Sequence, residues 1–405
     1  MNIIFIGGMI PPNRKNEFDK ISYLTAQNAA DAFQWSFIKG LDYYCDDLSI
    51  YTAPLLIKNY PKTGNKLFVK KSEFSHNENN KDFCIGFPLF PIVNKLFKSI
   101  NIYKAILKNN HTNNPYIIVC AVHTPYLLAA VRYKIKFPQA RICLIVPDLP
   151  QYMSDKNDIT YRLLKKIDMV IICNLIKRVD SFVFLTNLMS EKINIGSKPW
   201  IKIEGIYDQD LEIETNRSFY DENNNERTIL YTGSLSVRYG ILDLLEAFGM
   251  IPDYNYSLWI CGDGDAKENI IECSKKDKRV KYFGSLQRRE VLKLQKQATV
   301  LVNPRRSSGD YTKYSFPSKT MEYLASGKPV IMHHLPGLPD EYLDHIFIPD
   351  DETPLGLYKM IINVCNMDAS ILEDRCFKSK GFIINEKNPI KQMEKLYNLL
   401  KITSH

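Results

Sequence analysis

The chain has 405 residues, of which 45% are hydrophobic and 24% charged, a globular composition too long for one core and suited to two domains of about 150 to 200 residues each. Nine cysteines scattered from Cys45 to Cys376 without a close pair exclude a disulfide framework or a zinc module and point to a reducing cytoplasm. The net charge of +8 is uneven: residues 1–200 carry 26 Lys and Arg against 15 Asp and Glu, so the first half is the one that seeks an anionic surface, and charge alone does not choose among nucleic acid, anionic lipid and a phosphorylated acceptor.

Asn2 to Ile6 reads as a first buried strand ending in Gly7-Gly8, where a loop without side chains lets a ligand approach the backbone. The apolar run is too short for a signal peptide, and no stretch of 18 uninterrupted apolar residues follows, so nothing is expected to span a membrane. Ile21 to Leu41 reads as a helix carrying Gln27, Asn28, Gln34 and Trp35, amides beside an aromatic that suit either a helix surface or an acceptor sugar. From Phe90 to Lys108, Leu96, Phe97, Ile100, Tyr103, Ile106 and Leu107 fall near helical spacing with Lys95, Lys98, Lys104 and Lys108 around them. Such a basic amphipathic helix either faces the core with a solvated side or lies on an anionic membrane surface.

Tyr116 to Ala121 is the next strand, and His123 lies just past its carboxyl end, where open α/β sheets bind ligands. Ile142 to Val146 and Phe182 to Leu185 repeat the pattern, with Asp148 on the same rim as His123, able to orient a hydroxyl or to cap its turn. Ile201 to Ile206 and the polar run Asp221 to Arg227 mark a domain change near residue 200. The second domain opens with a strand at Ile229 to Thr232, a glycine-bearing loop from Gly233 through Ser234 to Gly240, and a helix from Ile241 to Phe248. Arg238 is that loop's anion ligand, being always charged and able to contact two phosphate oxygens at once. Gly262-Asp263-Gly264-Asp265 and Asp208-Gln209-Asp210 have the Asp-x-Asp form of some metal sites, but Asp and Gly are turn formers and no further ligands accompany them, so both read as turns. Strands and helices continue through Val280 to Phe283 and Ser285 to Gln297.

The richest stretch is Leu301 to Ile331. A strand ends at Asn303-Pro304, a basic loop with Arg305 follows, Pro317 fits the first position of a helix, and Gly327 with Pro329 fits its end, implying a helix of about ten residues. Lys319 occupies the first turn, where an acid is normally favoured, and an anion resolves that conflict. Glu322 stands alone among Met321, Tyr323, Leu324 and Ala325, on the face of Ser318 and Lys319, where two vicinal hydroxyls suit it.

Gly233 to Gly240, Gly262-Asp263-Gly264 and above all Phe316 to Ile331 together resemble the retaining glycosyltransferases of family 4, most closely those of bacterial capsule, exopolysaccharide and O-antigen assembly. The likeness is strong over the second domain; in the first it rests on Gly7-Gly8, His123 and Pro147 to Pro150. It implies an α/β protein of GT-B architecture, two Rossmann-like domains with parallel sheets facing a central cleft. The expected organisation is an acceptor-side domain at 1–200, a nucleotide-sugar domain at 201–385, and a helix at 386–405 packing back on the first.

By the same likeness Glu322 holds the nucleotide ribose, Arg238 and Lys319 the diphosphate with Arg305, and Ser318 completes the phosphate site. Gly233, Ser234, Tyr314, Phe316 and Pro317 line the donor, His123 contacts its sugar and stabilises the transition state, and Gly8 allows close approach, with Gln34, Trp35 and Asp148 on the acceptor side. The implied activity is metal-independent hexosyl transfer, without a cofactor, from a nucleotide sugar (a UDP-sugar ahead of a GDP-sugar) to a saccharide acceptor linked to polyprenyl diphosphate. The enzyme is then cytoplasmic and peripheral on the inner face of the plasma membrane, with no nucleic-acid partner. Family members often carry Glu where this chain has Tyr314, and many a Lys where it has Tyr239. Two rival readings follow: a GT-B protein that binds without turnover, motivated by Tyr314, and another GT-B enzyme such as a nucleotide-sugar 2-epimerase.

Overall fold

The computed structural model describes residues 1–21, 28–55, 67–78, 80–90, 93–149, 159–209 and 226–403. Two units result: Met1–Ile206 joined by Pro389–His405, and Tyr207–Asn388. Gln27, Pro150, Asp210 and most of the 221–227 run lie outside the described residues.

The first unit runs β1 (Asn2–Gly7), α1 (Lys15–Ile21), α2 (Asn28–Tyr44), β2 (Asp47–Thr52), β3 (Phe68–Val69), β4 (Ser72–Phe74), β5 (Asp82–Cys84), β6 (Phe87–Pro88), α3 (Val93–Asn109), β7 (Tyr116–Cys120), α4 (Thr124–Lys136), β8 (Arg141–Val146), α5 (Ile159–Ile176), β9 (Ser181–Phe184), α6 (Met189–Lys192) and β10 (Trp200–Lys202). Its main sheet has the order β10-β9-β8-β7-β1-β2-β5-β4, parallel except where β4 turns back on β5. Near-continuous apolar runs such as Ile3 to Ile6 and Ile117 to Val119 are buried because helices cover both faces of a parallel sheet. The order reverses between β1 and β7, so the loops after these two strands open at a switch point, where such sheets bind ligands. Gly8 and His123 are on those two loops.

α3 differs from the sequence expectation. Its buried residues are Lys98, Ser99, Ile102 and Ile106, whereas Leu96 and Phe97 are exposed. Lys98 therefore belongs to the inner ridge at i, i+4, i+8 and not to a solvated lysine ring. Beyond β4, a second buried ion site ties the hairpin down: His76 Nδ1 lies 2.6 Å from Asp82 Oδ2 and Nε2 3.0 Å from Asp42 Oδ1 on α2, while Asp82 also accepts Ile50 N–H at 2.9 Å. Burial opposes charging this imidazole, but the hydrogen bonds to Asp42 and Asp82 outweigh it and push its pKa up to about 9.

The second unit runs β11 (Arg227–Thr232), α7 (Ile241–Gly249), β12 (Tyr256–Cys261), α8 (Lys267–Lys276), β13 (Val280–Tyr282), α9 (Arg288–Gln297), β14 (Val300–Asn303), α10 (Lys319–Ala325), β15 (Val330–Met332), α11 (Pro354–Cys365) and α12 (Ala369–Glu386). All five strands are parallel in the order β13-β12-β11-β14-β15, so this sheet's switch point falls between β11 and β14. α10 is shorter than expected. Pro317 and Ser318 form a preceding turn with i→i+3 bonds, and the helix proper has seven residues before Gly327, at φ 72°, ends it. The closing helix α13 (Pro389–Ile402) lies on α2, where Gly40 leaves room for the Pro389 backbone and Tyr44 stacks on Tyr397 at 5.3 Å.

Candidate active site

In the second unit, α10 is locked to the end of β11. Tyr323, fully buried, accepts the Thr232 N–H at 2.8 Å through its hydroxyl, and Gln295 of α9 donates to Thr232 Oγ1 at 3.3 Å. This brings Lys319, four residues before Tyr323, under the glycine turn after β11. Its ammonium lies 3.1 Å from Tyr231 Oη and 4.3 Å from the centre of that ring, and the Tyr231 hydroxyl donates a hydrogen bond to the Ser234 carbonyl at 2.6 Å. Gly233, at φ 128°, has to be glycine: a methyl group there collides with the Lys319 ammonium. Burial, and then the neighbouring charge of Arg305, lowers the Lys319 pKa to about 7.

Arg305 is buried at 9% exposure on the loop after β14. It donates to Ser315 Oγ at 2.7 Å, and its Nε is buried without a hydrogen-bond partner among the described residues. Arg238 and Arg305 both lie over the rings of Tyr239 and Tyr311, at 4.7–5.3 Å. The next residue, Arg306, pairs with Asp243 of α7 through two 2.7 Å bonds and so anchors the loop. Glu322 Oε1 is held 2.7 Å from Arg288 Nη2 at the start of α9. Ser234 and Ser318 are exposed, Pro317 and Tyr314 are buried, and the Phe316 ring packs on Tyr342 at 5.3 Å.

The aspartates of the Gly262 turn serve the scaffold. Asp263 accepts from Gly264 N at 3.0 Å, and Asp265 accepts from Val237 N at 2.9 Å and so steadies the Arg238 loop. No group of three His, Cys, Asp or Glu residues suited to a metal occurs among the described residues.

In the first unit, Gln34 is buried and its Oε1 accepts the Gly8 N–H at 2.9 Å. That amide positions the glycine loop from below, while Trp35 turns elsewhere, against Phe74 at 6.4 Å. A Cβ at Gly8 would stand 2.8 Å from Tyr126 Oη, and Tyr126 itself donates to Ala53 O at 2.6 Å. His123 meets the Tyr126 ring edge-on at 4.8 Å and occupies the N-cap position of α4 through its backbone carbonyl, without a side-chain capping bond. Two residues earlier, Ala121 has φ 81°, the sole positive φ at a non-glycine among the described residues, a strained conformation of the kind that collects at functional sites. Burial, then the charges of Lys98 and Lys95, hold the His123 imidazole well below its usual pKa, so it is neutral and able to donate or accept. Asp148, in the turn after β8, is exposed.

Lys98 was not legible as a site residue, yet its ammonium donates to Pro54 O at 2.8 Å and Ala53 O at 3.3 Å and sits 4.1 Å over Phe87. Burial lowers its pKa to about 7. The one signal available was its place on the Ile102 and Ile106 ridge. Arg288 and Tyr126 carried no such signal.

Residues 212–351 match the family described as Glycosyl transferases group 1. No curated protein matches the chain. Among solved structures, the sucrose-phosphate synthase of Thermosynechococcus elongatus superposes with a TM-score of 0.68 at 14% identity, covering 99% of this chain and 100% of that one. Anabaena HepE in complex with UDP-glucose gives 0.62 at 11% identity, covering 99% and 100%. The lipopolysaccharide outer core galactosyltransferase WaaB gives 0.62 at 14%, covering 99% of each chain. The chain thus has the GT-B fold of two Rossmann-like units, and the stretch similar to the glycosyl transferases group 1 family lies in the second.

Proposed function

We propose that this protein is a retaining glycosyltransferase of family 4 that moves a hexose from a nucleotide-diphosphate sugar to a lipid-linked saccharide during bacterial surface-polysaccharide assembly. One observation carries the reading: at the switch point of the second unit, the Arg305 guanidinium with its unpartnered Nε and the Lys319 ammonium converge beside a glycine turn without side chains. Two cations with so few anionic neighbours call for an anionic ligand, and Glu322, one turn along α10, supplies the carboxylate for ribose hydroxyls.

In this mechanism Lys319, Arg305 and Arg238 face the diphosphate and stabilise the charge that grows as the anomeric C–O bond breaks. The positions of Lys319 and Arg305 are set before the donor arrives, by Tyr231, Ser315 and the Arg306 anchor, which keeps reorganisation small. Ribose binding exchanges the Arg288–Glu322 pair for hydroxyl hydrogen bonds. Neutral His123, in the first unit, hydrogen-bonds the transferring sugar, and the side-chain-free Gly8 admits it. The acceptor attacks on the face that the leaving group vacates, so configuration is retained. With the charge handled by side chains, turnover is expected to persist in EDTA. HepE was solved with UDP-glucose, which favours a UDP-sugar as donor.

A panel of UDP- and GDP-sugars, read by thermal stabilisation and by donor hydrolysis, tests the proposal. One sugar nucleotide should raise the melting temperature and be hydrolysed slowly without acceptor. If none of the panel binds, the nucleotide site is wrong; binding without turnover in the presence of acceptor would leave a GT-B binding protein.

A further inference from the structure

The surface most at odds with a solvated protein is not on α3 alone. On α5, Leu163, Leu164, Ile167, Val170 and Ile171 are 38–62% exposed. At 100° per residue they fall within an arc of about 120°, while Ile172, Leu175 and Ile176 on the opposite side are buried against the unit. The helix is thus apolar on both faces, and one of them has no protein cover among the described residues.

The stripe is fixed in place. Asp168 pairs with Lys95 of α3 at 2.9 Å and accepts from Thr124 at the start of α4 at 2.6 Å, so α5 is tied to the N-terminal ends of both neighbours. That is the edge of the sheet at which His123 occupies the N-cap position of α4. The first turns of α3 extend the apolar surface there with Leu96 and Phe97, both exposed. Around it, leaving aside the inward-turned Lys98, the two helices carry six basic residues and a single acid, Asp168, already paired with Lys95.

We infer that this α3–α5 face is a docking surface for an anionic lipid bilayer, with the α5 stripe sunk among the acyl chains and Arg162 and Lys166 at headgroup level. The inference rests on the lipid-linked acceptor proposed above and names where the membrane seats. A second copy of the chain fits poorly, since a two-fold contact sets like basic rims against each other. A protein partner fits less well than lipid because the stripe is aliphatic up to Asn174 near its C-terminal end and lacks the Tyr and Trp anchors that distinguish protein interfaces.

The test is flotation of the full chain with vesicles of phosphatidylglycerol or of phosphatidylcholine. Binding at least tenfold tighter to the anionic vesicles is expected, weakened by salt. Ile167→Glu with Val170→Glu should reduce it at least tenfold, and Arg162→Glu with Lys166→Glu should remove the preference for anionic lipid, while both variants keep wild-type donor hydrolysis and circular dichroism. Failure of the wild type to float, or equal flotation of the Ile167/Val170 variant, overturns the inference. So does a wild-type dimer in light scattering that the same variant splits. Nucleotide-sugar binding is measured without vesicles, so loss of that binding would strike the proposed function, and loss of flotation alone only the docking surface.

Discussion

Lys319 offers the sharpest test, because its charge state in the free protein differs from the one a diphosphate demands. With its pKa lowered to about 7 by burial and Arg305, the amine is half protonated at neutral pH. A diphosphate against it restores the usual value for lysine, so donor binding takes up a proton. The apparent Kd then scales as one plus ten to the power of pH minus 7: it rises about tenfold between pH 6 and pH 8, or about 1.4 kcal/mol, with uptake of about 0.9 proton at pH 8. Isothermal titration calorimetry with the sugar nucleotide, in buffers of different ionisation enthalpy, measures both quantities, and the ligand's own diphosphate does not titrate in this range. Lys319→Met should abolish the pH slope and weaken binding. It should also raise the melting temperature at pH 6, because a lysine whose folded pKa is depressed opposes folding below its unfolded value and the penalty is relieved only as pH climbs from 7 towards 10.5. A Kd flat from pH 6 to 8.5 with no proton uptake, or a Lys319→Met protein that binds as the wild type does, would refute the reasoning.

Glu322→Gln should raise the Kd for the nucleotide at least tenfold by calorimetry, about 1.4 kcal/mol, while leaving the fold intact, since the exposed Arg288 it releases is readily hydrated. Arg238→Ala should lower kcat/KM at least tenfold in an initial-rate assay if the guanidinium faces the leaving diphosphate. In the first unit, His76 contributes stability that is fully present below pH 6.5 and lost as pH rises through about 9. Urea titrations of wild type and His76→Gln should therefore differ by about 2 kcal/mol at pH 6, allowing for solvent screening at Asp42, and converge by pH 10. A constant difference would assign the effect to packing.

The strands, the glycine turns and the family likeness were legible because each is local: apolar runs, φ-permissive glycines and the Phe316 to Ile331 string sit in consecutive residues. The expected start of α10 was two residues early because Pro317 suits a 3-10 turn as well as a first helical position. Lys98 was misplaced for a related reason. Spacing marks a stripe, but the side of the stripe that meets the core depends on what packs there, and two carbonyls and the Phe87 ring drew the ammonium inward.

By itself the sequence determined the α/β class, the glycines after β1 and β11, and the chemical types of the candidate-site residues, since backbone freedom and charge are properties of a residue and its immediate neighbours. Only the tertiary structure decided which charges meet. It set Arg305 beside Lys319, gave Glu322 an arginine from α9, used Gln34 to hold the Gly8 loop, and left one apolar side of α5 open to solvent. Each of these turns on distances between groups far apart in the chain, and with them on desolvation and Coulomb energies that no local pattern encodes.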